Sequence, residues 1–191
     1  MAFLMAMALV ATQVAAAEPI NIPAPEAIRA LHEAAGCIVR EHTGEARAVL
    51  AMDFRTRPYR ERLLRLARST NRCFDGYLAS SGVTFVGALA EQLYLRDRRA
   101  ADPSAIASTQ TPQPRSRTEA MSFCVVRRAP AESRAVLETP VTSTGEAAAL
   151  DSLRPAIAAC LEGGEEAQLN RPGLRSLVAL ALYRLSATRA D

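Results

Sequence analysis

The chain of 191 residues carries 23 basic side chains, all arginine, against 20 acidic ones, for a net charge of +3. With 49% hydrophobic and 23% charged residues it is too apolar for a disordered chain and too nearly neutral for a wholly basic nucleic-acid binder, so no nucleic-acid partner is expected. The length is that of a single domain on the usual scale of roughly 100 to 200 residues.

The first 17 residues, MAFLMAMALVATQVAAA, carry no charged side chain, hold an apolar run from Phe3, and end on Ala15-Ala16-Ala17 ahead of Glu18. This pattern predicts a secretory signal over residues 1–17, cleaved after Ala17, and a periplasmic or secreted protein. It departs from the usual form in lacking Lys or Arg near the start. A retained anchor would need roughly 20 apolar residues; Gln13 and Glu18 leave too few, so no transmembrane span is expected after cleavage.

A first helix is predicted with Pro25 in its opening turn, where a missing N–H costs little. Ala27, Ile28, Leu31, Ala34, Ala35 and Ile38 give it one apolar face, and Thr43-Gly44 is expected to end it. A short second helix follows over Glu45 to Met52. The third runs from Thr56-Arg57-Pro58 to about Cys73, with Tyr59, Leu63, Leu66 and Cys73 on one side and Arg57, Glu61, Arg65, Arg68 and Arg72 on the other. Asp75-Gly76 breaks the chain, and Ser81 or Thr84 caps a fourth helix through Phe85, Leu89, Leu93 and Tyr94.

Residues 97–115 read as a linker in which Pro103, Pro112 and Pro114 prevent continuous helix. Ser116-Arg117-Thr118-Glu119 then has capping-box spacing, and Ser143-Thr144-Gly145-Glu146 repeats it. Pro155 predicts a kink or two shorter helices. Gly163-Gly164 breaks the chain again, and Asn170 caps a last helix with Pro172 in its first turn. Leu174, Leu177, Val178, Ala181, Leu182 and Leu185 form its apolar face.

Two stretches match each other. Cys37-Ile38-Val39-Arg40, Glu45-Ala46-Arg47-Ala48-Val49-Leu50, Leu63, Leu66 and Cys73 return 87 positions later as Cys124-Val125-Val126-Arg127, Glu132-Ser133-Arg134-Ala135-Val136-Leu137, Leu150, Leu153 and Cys160. We read this as an internal duplication: an all-α protein of two tandem four-helix repeats, residues 18–96 and 116–191. A two-residue insertion shifts the last helix, so that Tyr183 matches Tyr94 at a separation of 89.

Four cysteines in an exported chain predict disulfides, and the equal spacing selects Cys37 with Cys73 and Cys124 with Cys160, one bridge per repeat. A four-cysteine metal site lacks the ligand pairs two to four residues apart that structural zinc uses. The two histidines, His32 and His42, stand too far apart for one helix turn, and no nucleophile elbow, phosphate loop or dinucleotide turn is present. No metal, cofactor or catalytic residue is assigned.

Charged positions recur at Arg40 and Arg127, Glu45 and Glu132, and Arg47 and Arg134, which predicts Arg–Glu bridges between the first two helices of each repeat. The asymmetric feature is the third helix, where Arg55, Arg57, Arg60, Arg62, Arg65, Arg68 and Arg72 face only Glu61. Arg65, Arg68 and Arg72 are the candidate surface for an acidic envelope component or protein. The pattern Cys-Val-Val-Arg, Arg-Ala-Val-Leu, Cys-Leu, Ala-Leu-Tyr resembles that of exported bacterial helical proteins with a duplicated unit, a resemblance over most of the mature chain that implies no site. The expected function is binding or envelope structure. The alternative is a small envelope hydrolase whose carboxylates no sequence motif locates.

Overall fold

A computed structural model describes residues 23–69, 72–74, 80–97, 103–161 and 169–187. Residues 1–17, Asp75-Gly76 and Gly163-Gly164 lie outside the described residues. Within them the protein is all-helical, with α1 (Pro25–Glu41), α2 (Thr43–Ala51), α3 (Arg57–Ser69), α4 (Gly82–Arg96), α5 (Pro103–Ser108), α6 (Arg117–Arg128), α7 (Pro130–Glu138), α8 (Thr144–Ser152), α9 (Arg154–Cys160) and α10 (Arg171–Ala187). Among these residues no helix is long and apolar enough to cross a membrane.

The helix starts obey local chemistry. Ser81 Oγ accepts the Thr84 N–H, Ser116 Oγ that of Glu119, Ser143 Oγ that of Glu146 and Asn170 Oδ1 that of Gly173, each satisfying one of the amides a helix leaves unpaired at its start. In both predicted capping boxes the glutamate reaches one residue further back than the box requires. Glu119 Oε2 accepts the Arg115 N–H and Glu146 Oε2 the Thr142 N–H. Thr142 takes a positive φ of 63° to present that N–H, a backbone region a β-branched residue seldom enters.

Three boundaries differ from expectation. Thr43 and Gly44 belong to α2 rather than ending α1, because Thr43 Oγ1 bonds the Val39 carbonyl at 2.5 Å and Arg96 of α4 donates to both Val39 O and Thr43 Oγ1. Orphan carbonyls at the end of α1 are thereby satisfied and His42 alone separates the helices. The linker is not a spacer throughout: Pro103 opens α5, where proline is tolerated, and Ile106 is fully buried against the core. α3 ends at Ser69 rather than near Cys73, whereas Pro155 divides the corresponding later stretch into two shorter helices, α8 and α9, as its missing N–H predicts, with Leu153 fully buried between them.

Both predicted bridges are formed, Cys37 to Cys73 and Cys124 to Cys160, with Cα separations of 5.4 and 5.8 Å and the same sequence separation of 36. On the chain-entropy estimate each closed loop is worth about 4 kcal/mol. Cys37 and Cys73 also lie beside Glu41, but both sulfurs are consumed by the disulfide and offer no thiolate to a metal.

The largest helix pairing is α4 with α10; α1 packs on α4 and α6 on α10, so these four helices surround one apolar core running from Leu31 to Leu185. At the crossing, the backbone of α4 at Gly87 approaches Ser176 of α10 so closely that a Cβ on Gly87 would lie 2.3 Å from the Ser176 Cβ. Only glycine permits that approach. Gly87 and Ser176 are 89 positions apart, as are the helix caps Ser81 and Asn170.

The recurring charges do not form the expected bridges between the first two helices. Glu45 pairs with Arg62 of α3, Arg47 with Asp97, and Arg134 with Glu138 of its own helix. Arg127 donates to the Ala107 carbonyl and Thr111 beyond α5, while Arg40 is exposed. The expected pairing lost to nearer partners: the donor Arg62 on α3, the Ala107 carbonyl on α5 and Asp97 at the end of α4.

Candidate ligand-binding cleft

The described residues hold one large apolar cleft, of about 540 Å³, between the α2–α3 connection, the start of α4, the start of α6 and the second half of α10. Its volume falls within the roughly 300–1,000 Å³ of small-molecule sites. The walls come from Leu50, Met52, Tyr59 and Leu63 on one side, Val86 and Ser122 at the base, and Leu177, Leu180 and Ala181 on the other. Phe54 and Val83, 40% and 50% exposed, also line it, so the cleft opens to solvent between them.

The polar rim is arginine-rich. Arg60, Arg115 and Arg184 line the cleft together with Glu119. An adjoining polar hollow of about 400 Å³ shares Arg115 and Arg184 and adds Asp53, Arg55 and Gln113. Most of these charges are already matched. Arg55 makes a two-pronged contact to Asp53 at 2.7 to 3.2 Å, and its hydrogen bonds hold the Asp53 carboxyl at about 2, below the ordinary 3.8. Arg184 bonds Glu119 and lies 5.2 Å from the Phe123 ring centroid, a cation over an aromatic face.

Arg115 is different. Its guanidinium donates to two neutral acceptors, the Met52 and Ala51 carbonyls at the end of α2, at 2.7 and 3.0 Å. Partial burial lowers its pKa, and the positive charge of Arg184 acts in the same direction. Three guanidinium groups, of Arg55, Arg115 and Arg184, thus stand against two carboxylates, Asp53 and Glu119, at the junction of an apolar cleft with a polar hollow. An anionic group there would relieve the repulsion between them.

A second charged cluster lies on the other side of the α4–α10 pair and is closed to solvent. Arg175, 2% exposed, directs all five of its N–H donors onto acceptors: Glu91 at 2.7 and 2.8 Å, Glu146 at 3.0 Å, and the Val136 and Thr139 carbonyls at 2.8 and 3.1 Å. Such complete pairing is the condition under which a buried guanidinium is tolerated. Glu91 also lies 3.5 Å from His32 Nδ1. Burial alone would raise the Glu91 carboxyl, but His32 and Arg175 outweigh it and hold it below the ordinary 4.5.

Glu91 therefore keeps its charge to lower pH when folded than when unfolded, so its stabilisation is complete above pH 4.5 and is lost as pH falls through the lower folded value. Melting temperature should drop on acidification below pH 4.5. Glu91→Gln, less stable at neutral pH, should show a shallower decline there; an identical acid limb would mean that Glu91 does not govern stability in acid.

The candidate arginines are all on the surface. Arg65, Arg68 and Arg72 are exposed, and Arg57 and Arg62 are neutralised by Glu61 and Glu45. Neither the cleft nor the buried cluster was anticipated from the sequence. Glu91 and Arg175 did leave a signal, each being a charged residue inside a nearly continuous apolar helix. Arg115 and Phe54 left none, since both stand in connections. No family model, curated protein or solved structure matches the chain.

Proposed function

We propose that this is an exported binding protein whose cleft takes a single-chain amphiphile with an anionic head, the fatty-acid class being the simplest. The observation that carries this reading is the continuity of an apolar cleft with an arginine-rich hollow in which Arg115 has no acid of its own. An alkyl chain buried between Leu63, Leu177 and Leu180 gains about 0.8 kcal/mol per methylene. Its carboxylate would meet Arg115 and Arg184, a charge-assisted contact stronger than a neutral one. The two disulfides are compatible with an oxidising compartment outside the cytoplasm. In this reading residues 18–96 and 116–191 are the two copies of a duplicated unit, α4 and α10 are equivalent helices meeting at Gly87 and Ser176, and the cleft is formed where the copies join.

The hydrolase alternative gains no support from the cleft. Hydrolysis by paired carboxylates needs two acids with room between them, whereas Glu119 is the single carboxylate lining this cleft and both its oxygens are engaged. Titration with dodecanoate and with dodecanol, followed by calorimetry, separates the contributions of chain and head. Dodecanoate should bind at least roughly tenfold tighter, and Arg115→Gln should erase the difference, since one charged hydrogen bond is worth about 1.5 to 3 kcal/mol. Equal affinity for acid and alcohol would refute the anionic head, and binding of neither would refute the cleft as a lipid site.

A further inference from the structure

The exposed face of α3 carries a feature that solvation alone does not require. At 100° per residue Leu64 falls in the middle of that face, one turn from Arg60 and one turn from Arg68, and it is the most exposed large apolar side chain among the described residues, at 53%. Arg60, Arg65, Arg68 and Arg72 around and beyond it are exposed and have no ion-pair partner among the described residues. Phe54, also exposed, precedes the helix at the mouth of the cleft, and Arg60 lines that mouth.

We propose that this face docks on a bilayer surface rich in anionic lipid. Guanidinium groups match phosphate by charge and by their planar fork, and an apolar residue set among cations is the arrangement of helices that lie in a membrane interface. An acidic protein would complement the arginines equally well but leaves Leu64 without a role, so the lipid surface accounts for more of the face. Docking in this way turns the Arg60 side of the cleft mouth toward the membrane. It does not depend on the cleft holding a ligand.

The test is co-sedimentation with vesicles of phosphatidylglycerol and phosphatidylethanolamine, set against vesicles of phosphatidylcholine. The full chain should prefer the anionic vesicles. The Arg65→Gln, Arg68→Gln, Arg72→Gln variant should lose on the order of 100-fold in partitioning, from the usual attraction of each basic residue to an anionic surface. Its melting temperature and its affinity for dodecanoate should stay unchanged, because none of the three lines the cleft. Leu64→Ser should abolish whatever binding survives about 1 M salt, where charge attraction is screened beyond about 3 Å. Equal sedimentation of wild type and triple variant would overturn the proposal, as would equal binding to both kinds of vesicle. So would binding to soluble polyglutamate without binding to anionic vesicles, which would assign the face to an acidic protein. Failure of dodecanoate to bind would count against the cleft alone.

Discussion

Arg175→Met should lower the unfolding free energy by about 3 to 5 kcal/mol, the range for breaking a buried ion pair from one side, and the melting temperature by roughly 6 to 20 °C for a chain of this size. Methionine replaces the volume of the stem but none of the five donors. Glu91 and Glu146, 3% and 6% exposed, would be left buried without the guanidinium that pairs them, the Thr139 carbonyl would lose the Arg175 N–H, and the Val136 carbonyl would keep only the Thr139 hydroxyl. Adding Glu91→Met should recover part of the loss, because removing both members of a buried pair costs much less than removing one. Recovery should be incomplete, since Glu146 stays buried without the guanidinium that pairs with it. Thermal melts followed by circular dichroism measure both. A single variant within about 1 kcal/mol of wild type would mean that the cluster is open to water in solution.

Gly87→Ala should be nearly as damaging, about 3 kcal/mol or more, at the upper end of overpacking effects. The added methyl group would lie 2.3 Å from the Ser176 Cβ and 2.6 Å from its Cα. A flexible side-chain tip could turn away, but a Cα belongs to the backbone of α10 and moves only with the helix. Any such movement displaces Arg175, the adjoining residue, from the acceptors that satisfy it. Ser176→Gly combined with Gly87→Ala relieves the clash with the side chain but not the clash with the backbone of α10, and should restore only part of the stability. By contrast, Gly82→Ala meets nothing within 4 Å and provides the control for backbone effects alone. Full tolerance of Gly87→Ala would show that α4 and α10 cross at a wider spacing in solution.

The two substitutions strike the same crossing. α4 and α10 form the largest helix pairing in the protein, and their close approach leaves Arg175 no route to solvent. The two capping glutamates reach α10 as well, Glu119 through Arg184 and Glu146 through Arg175. A residue whose local task is to complete a helix start thereby also fixes where the last helix lies. Loss of either glutamate would therefore combine a capping defect with an unpaired arginine.

By itself the sequence determined the features set by neighbouring residues or by an exact recurrence. Helix starts at Ser81, Ser116, Ser143 and Asn170 follow from side-chain oxygens next to free amides; the break at Pro155 follows from a missing N–H; and the disulfide pairing follows from two equal spacings. The apolar and charged sides of α3 were legible for the same reason, as a period of 3.6 residues. Only the tertiary structure decided the partners of the charges. An arginine side chain reaches several ångströms and bonds whichever acceptor packing brings near, so Arg127 met the Ala107 carbonyl in α5 and Arg62 met Glu45, in place of bridges between the first two helices. It also decided the burial of Ile106 in a stretch that reads as linker, because burial depends on what packs against a residue and not on its neighbours in the chain. The cleft belongs to the same class. Its walls come from positions 50 to 184, and the distance between Arg115 and Arg184 is set by helix packing that no local pattern records.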